Sequence, residues 1–285
     1  MIQISLQKQL SGAKGPFSLD LQANFQTNKT YAIFGESGSG KTTFFKMLCG
    51  ITPPDSGYIS HNNQVLYDKK AQINTPIWKR NIGFVFQNCA LFPHLNVYKN
   101  ITFGLNNSLK SEVDSLISLL NLNQLCDKKP KHLSGGQAQK VALARSILQN
   151  PKILLLDEPF SALDQDTKTF LYQEFKNTLK HFNLTTFLIS HDITEVLFLT
   201  DHVFVLEDGK FCKNGTPQEI FLEQKNHKIF GKILSIKKQG NKSVLQVLVQ
   251  NMIFNFILEN VDNSLKIGDM IAVDNHFSIN RFQKI

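Results

Sequence analysis

Apolar and polar residues alternate over residues 2–6 and again over 17–25, the period-two pattern of strands with one covered face. Thr30–Phe34 is a short β-rich run that ends in a cluster of glycines, and Thr42 to Leu48 then reads as a helix. Thr52–Gly57 reads as a turn, and Ile82–Phe86 as another strand. Residues 96–125 are expected to be mostly helical, because Val113, Leu116, Ile117 and Leu120 fall at i, i+3, i+4 and i+7. A further helix is predicted from Gly135 to Leu148, stopped by Asn150-Pro151. Ile153–Leu156, Thr185–Ile189 and Val203–Leu206 are unbroken strand-like runs, the last closed by a turn at Asp208-Gly209. Such runs belong to strands covered on both faces, and strands alternating with helices imply a parallel sheet.

The texture changes after about residue 227. Val244–Val249 is strand-like, Met252 to Leu258 alternates, and Gly268-Asp269 makes a turn before Met270–Val273. The expected division is therefore 1–227 for an α/β domain and 228–285 for a small all-β unit of about 58 residues.

Composition narrows this picture. The 42% apolar content of the 285 residues is enough for a real core, and 19% charged residues is low for a disordered chain. The balance of 31 Lys+Arg against 23 Asp+Glu suits anionic partners, but no block of like charge concentrates it. The four cysteines, Cys49, Cys89, Cys126 and Cys212, are scattered, which argues against a disulfide framework or a structural zinc site. No signal-peptide core and no run of about 18 apolar residues is expected to enter a membrane.

Three segments carry chemistry. Gly35-Glu36-Ser37-Gly38-Ser39-Gly40-Lys41-Thr42 fits G-x-x-x-x-G-K-[ST], with a strand before it and a helix after it. The glycines let backbone N–H groups converge on phosphate oxygens, the helix N-terminus adds its dipole, Lys41 reaches the β- and γ-phosphates, and Thr42 offers a hydroxyl to Mg²⁺. Ile153-Leu154-Leu155-Leu156-Asp157-Glu158 is an apolar strand that delivers Asp157 towards the metal and Glu158 towards an attacking water. Leu133-Ser134-Gly135-Gly136-Gln137 opens a helix with a second anion cradle. One nucleotide needs one cradle, so the second is expected to serve the nucleotide of another copy.

With these residues the chain resembles the nucleotide-binding subunit of an ABC transporter. Further marks of that family stand in order: Gln87 after the strand at 82–86, Ser161-Ala162-Leu163-Asp164, and His191 after the strand at 185–189. The resemblance covers about residues 1–225 and implies an α/β fold: a P-loop NTPase (RecA-like) ABC ATPase core, a helical subdomain at about 86–145, and a small C-terminal OB-like all-β domain. It implies Glu158, His191 and Gln87 as catalytic residues. ATP would be held by Gly35 to Thr42 with Thr43, and across a dimer by Ser134, Gly135, Gly136, Gln137 and Asp164. Mg²⁺ would be held by Thr42, Gln87 and Asp157.

The chain departs from the family in two places. An aromatic residue usually stacks on adenine in the stretch occupied here by Gly12-Ala13-Lys14-Gly15-Pro16; either Phe17 substitutes or stacking is weak. Gln139-Lys140 stands where many members have Gln-Arg, which keeps the charge but loses the planar fork.

The implied function is ATP hydrolysis driving import through separate permease subunits, at the cytoplasmic face of the membrane. The partners would be a second copy, those permeases and, indirectly, a solute-binding protein, with no nucleic acid. The stretch 75–94 and the β-rich tail are similar to molybdate-importer ATPases. Sulfate, ferric iron, polyamine and sugar importers share much of this, and a soluble ABC ATPase acting on nucleic acid is the reading from another class.

Overall fold

The computed structural model describes residues 1–12, 15–105, 110–161, 163, 165–221, 229–239, 242–249, 252–259, 265–273 and 283–284. The chain divides into two compact units, Met1–Pro217 and Gln218–Ile285.

The first unit holds two sheets. β1 (Ile2–Gly12) and β2 (Gly15–Phe25) pair antiparallel with Ile2 opposite Phe25, and the inward set Ile2, Leu6, Leu19, Leu21 and Phe25 is buried. β3 (Thr30–Phe34) leads into the glycine cluster and α1 (Lys41–Cys49). β4 (Ser56–His61), β5 (Gln64–Asp68) and β6 (Ile73–Asn74) join the first pair in an antiparallel sheet of order β2-β1-β4-β5-β6. The predicted turn at 52–57 thus runs into a strand. β4 and β5 are closed by Asn62 and Asn63, both at positive φ, a turn that asparagine tolerates.

The second sheet uses β7 (Ile82–Val85), β8 (Ile153–Asp157), β9 (Thr185–Ile189), β10 (His202–Glu207) and β11 (Lys210–Gly215), in the order β11-β10-β3-β9-β8-β7. All neighbours are parallel except the β10–β11 edge pair. The unbroken run of β8 has its cause here: Leu154 and Leu156 enter one core, whereas Ile153 and Leu155 enter the other.

Helices cover the first of those cores. α2 (Val97–Ile101), α3 (Lys110–Leu119) and α4 (Gly135–Leu148) follow β7, with short 3-10 turns at Asn123–Leu125 and Pro130–His132. The expected long helical stretch at 96–125 is therefore broken, while Val113, Leu116, Ile117 and Leu120 are buried together as their spacing requires. α5 (Gln165–His181) buries Leu171, Phe175, Thr178 and Leu179, and α6 (Ile193–Leu199) and α7 (Pro217–Phe221) complete the helices.

The second unit is all-β: β12 (Ile229–Gln239), β13 (Lys242–Val249), β14 (Met252–Glu259), β15 (Met270–Val273) and β16 (Gln283–Lys284). They form an antiparallel sheet of order β14-β13-β12-β15-β16 around Ile233, Leu245, Val247 and Phe256. Among the described residues no pairing joins β14 to β16. No described helix is long and apolar enough to cross a membrane.

Candidate functional site

The glycine loop between β3 and α1 is shaped by close approaches. A Cβ on Gly35 would lie 2.3 Å from the Leu206 carbonyl oxygen, and one on Gly40 would lie 2.6 Å from a Leu19 methyl carbon. Gly38 and Gly40 have φ of 83° and 100°, so the turn requires glycine on backbone grounds as well. Gly40 is the N-cap of α1 and brings no capping side chain, which leaves the first N–H groups of the helix for a ligand. Ser39 Oγ is buried without a hydrogen-bond partner. A ring of donors with one orphaned hydroxyl fits a polyanion such as a nucleotide's phosphates.

Lys41 is buried, and its ammonium donates to the carbonyl oxygens of Gly35 (2.8 Å) and Glu36 (2.7 Å), so it lies folded into the loop. Burial lowers its pKa, opposed by the charges of Glu158 and Asp157. Thr42 Oγ1 donates to Asp157 Oδ1 at 3.3 Å. Burial raises the Asp157 pKa, and the Thr42 hydroxyl pulls it back. The two oxygens are of the hard type that Mg²⁺ prefers. Glu36, Ser37 and Gly38 are exposed and Thr43 is half-buried.

Three neighbouring strands end beside one another. β8 pairs with β7 through Leu156 opposite Val85, and with β9 through Asp157 opposite Ile189. The residues just past these ends meet: Gln87 Nε2 donates to Glu158 Oε2 at 3.2 Å, and His191 Nδ1 lies 3.6 Å from Glu158 Oε1. Gln87 also donates to Ser161 Oγ at 3.3 Å, and Ser161 donates to the Glu158 carbonyl at 3.0 Å. Glu158 itself has φ 45°, a left-handed conformation unusual for a glutamate, fixed by its N–H on the Ile189 carbonyl at 3.0 Å. Its side chain is 27% exposed and that of His191 65%.

The second cradle stands apart. Ser134 caps α4: its Oγ accepts from Gln137 N–H (3.3 Å), and Gln137 Oε1 accepts from Ser134 N–H (3.0 Å). Ser134 and Gly135 are exposed and Gly136 is buried. Among the described residues none of these bonds reaches the glycine loop. Asp164 and Ala162 lie outside the described residues. Phe17 is half-buried, facing Leu10 across the β1–β2 ladder and packed on the second core. Lys140 pairs with Glu174 at 2.5 Å through a compact ammonium rather than a planar fork.

Several residues outside the sequence motifs fix this site. Asn100 is fully buried and bonds the backbone of Phe92 in both directions (2.8 and 3.1 Å) and the carbonyls of Leu95 and Asn96. Arg145 donates to the carbonyls of Cys89 (3.0 Å) and Ala90 (2.9 Å) and lies 5.3 Å from the Phe92 ring centre. Together they brace the segment after Gln87, in which Cys89 and Ala90 both have positive φ. Nothing in the local sequence Val97-Tyr98-Lys99-Asn100-Ile101 distinguishes Asn100 from its polar neighbours. Leu91 packs against the core, while the Phe92 ring lies tilted against that of exposed Phe103 with ring centres 4.3 Å apart.

A phosphate loop after an interior strand of the parallel sheet, an acid-ended strand in the same sheet and a separate serine-glycine cradle define an ATP-binding cassette. The ABC transporter family matches residues 19–161, and this chain belongs to it. The chain is 37% identical over 221 residues to the molybdenum import ATP-binding protein ModC of Pectobacterium atrosepticum, covering 78% of this chain and 62% of that protein. It is 36% identical over 244 residues to ModC of Salmonella typhimurium, covering 86% and 68%. The chain thus spans about three fifths of the length of several curated relatives it matches. Among solved structures, cbiO1 from Clostridium perfringens, part of the ABC transporter complex cbiONQ, superposes with a TM-score of 0.67 at 30% identity, covering 78% of this chain and 91% of that one. The ATP-binding cassette MJ0796, in a dimeric post-hydrolysis state with ADP and Pi, superposes with a TM-score of 0.64 at 26% identity, covering 76% and 99%.

Proposed function

We propose that this chain hydrolyses ATP as the cassette subunit of a membrane importer, with molybdate as the solute. The observation that carries the catalytic part is the meeting of Gln87, Glu158 and His191 beside the Lys41 loop. In this reading the loop N–H groups from Gly35 to Thr43 and the Lys41 ammonium take the β- and γ-phosphates. Lys41 exchanges its two carbonyl partners for phosphate oxygens. Thr42, Asp157 and Gln87 would hold Mg²⁺, which when bound would neutralise phosphate charge. Glu158 accepts a proton from the attacking water. The resulting hydroxide bonds to the γ-phosphorus as the bond to the β–γ bridging oxygen breaks, leaving ADP and phosphate. Gln87 and His191 hold the Glu158 carboxylate from either side, and the bond from Ser161 to the Glu158 carbonyl fixes its backbone.

Ser134, Gly135, Gly136 and Gln137 lie away from this chain's own loop, which supports their use on the nucleotide of a second copy, with Asp164 at the seam. The dimeric state of MJ0796 supports the same arrangement. The braced, partly apolar segment after Gln87 is the place for a permease contact, since movement at Gln87 passes directly to Phe92. Such a subunit sits peripherally at the cytoplasmic face, with a solute-binding protein acting on the far side. Molybdate rests on the ModC relatives, which are 36–39% identical. A domain boundary at 227/228 is part of this proposal, as is an OB-like character for the tail.

The test is a pair of measurements. Purified protein should release phosphate from Mg-ATP, and cells lacking it should lose high-affinity molybdate uptake but not sulfate uptake. Absence of ATP turnover overturns the enzyme reading. Loss of a different solute's uptake overturns molybdate alone.

A further inference from the structure

Behind His191 lies a buried carboxyl that the reaction described above does not use. Glu195, on the first turn of α6, is 3% exposed. Its Oε2 accepts from Ser190 Oγ at 2.8 Å, and the same Ser190 oxygen accepts from the Asp192 N–H at 3.0 Å. Asp192 in turn caps α6, accepting from the N–H groups of Thr194 (2.9 Å) and Glu195 (3.4 Å), and takes the Lys168 ammonium on its other oxygen at 3.2 Å. The residues on both sides of His191 are thus tied by their side chains, while the imidazole itself is largely exposed. The tie ends at Glu195.

We infer that Glu195 is a positioning residue for His191: by holding Ser190, it sets the turn that aims the imidazole at Glu158. This rests on the proposed role of His191 in hydrolysis. A group needed only for folding would be better replaced by an apolar side chain, since a buried carboxyl costs stability unless its oxygens are used. Here Oε1 has no hydrogen-bond partner, and the nearby hydroxyl oxygen of Tyr172, on α5, has none either.

The groups facing Glu195 explain its protonation. They are Ser190 at the end of β9, Asp192 on the cap of α6, Lys168 and Tyr172 on α5, and Glu158 past β8. Burial pushes its pKa up to about 8, Ser190 and Lys168 lower it, and Asp192 and Glu158 raise it. At neutral pH the carboxyl is mostly neutral, and an amide can replace it as acceptor of the Ser190 bond. Above that range a buried negative charge forms beside the turn that carries His191.

The experiment compares steady-state ATP hydrolysis by the full chain and by E195Q, E195A, S190A and H191A across pH 6 to 9.5. E195A and S190A should lower kcat roughly ten- to a hundred-fold with KM for ATP little changed, as expected of misplacement rather than lost binding. E195Q should restore kcat at pH 7 and change the alkaline limb that the wild type shows near pH 8. Circular dichroism confirms that each variant is folded. If folded E195Q is as impaired as E195A, or if its pH profile coincides with that of the wild type, the inference is overturned while the His191 reading stands. If H191A retains full kcat, the His191 reading falls, and this inference falls with it.

Discussion

Glu158 is held in a backbone conformation that costs a β-carbon residue of order 1 kcal/mol or more, and it is kept there by the Ile189 carbonyl and by Ser161. The strain aims the carboxylate at Gln87 and His191 rather than along the strand. E158Q should keep ATP binding and lose about 10²–10⁴-fold in kcat, measured by phosphate release and by nucleotide titration. Near-normal turnover would remove Glu158 as the base. Glu195 gives a stability test of a different kind. Its folded pKa lies above that of a free glutamate, so its contribution is fully present below pH 4.5 and is lost as pH rises through about 8. The melting temperature of E195Q relative to wild type should therefore climb between pH 6 and 9. A constant difference would mean that the carboxyl does not titrate there.

At the scale of elements, what the sequence made legible follows from how locally each signal is written. The helix expected at Gly135–Leu148 has those bounds because its capping box and its Asn-Pro stop are both local. β8 and β9 were readable as unbroken runs because each is covered on two faces. The β4–β5 hairpin was not foreseen: its strands are half-polar, and the Asn62-Asn63 turn was its only strong mark. α5 was likewise not anticipated, since Thr178 interrupts its buried stripe and satisfies itself by donating to the Glu174 carbonyl at 2.8 Å. Of the site, the phosphate loop and the acids were legible as motifs, whereas Arg145 acts on carbonyls of Cys89 and Ala90 far back in the chain, and Asn100 and Ser190 act through short-range side-chain bonds that no motif marks. Asn100→Ala should cost about 1–3 kcal/mol by stranding backbone groups of Phe92, read as a lower melting temperature. Ser134→Ala should cost about 1 kcal/mol through the lost cap. Ser134→Arg should leave nucleotide binding by one chain intact and block hydrolysis; ATP-dependent dimerisation of that variant would count against the shared cradle.

For the molecule as a whole, nucleotide binding should stabilise the unit that carries the loop. With ATP at a hundred times its Kd the gain is about 2.7 kcal/mol, visible as a rise in melting temperature that K41A abolishes. An unchanged rise in K41A would place the nucleotide elsewhere.

Gln87, Glu158 and His191 lie in a row that runs across β7, β8 and β9 rather than along any of them. Across the strands, distance is set by ladder hydrogen bonds at about 4.8 Å per step, the direction in which a sheet resists stretching. The row therefore behaves as a ruler of fixed spacing. A signal that nucleotide has bound or been cleaved cannot travel as a change in the gaps between these strands. In the proposed reaction it would travel through the short connections beyond each strand end, and these lead to different places: towards Phe92, through Ser161 and into α6. In the proposed reaction, one chemical event at Glu158 would in this way reach three separate parts of the chain.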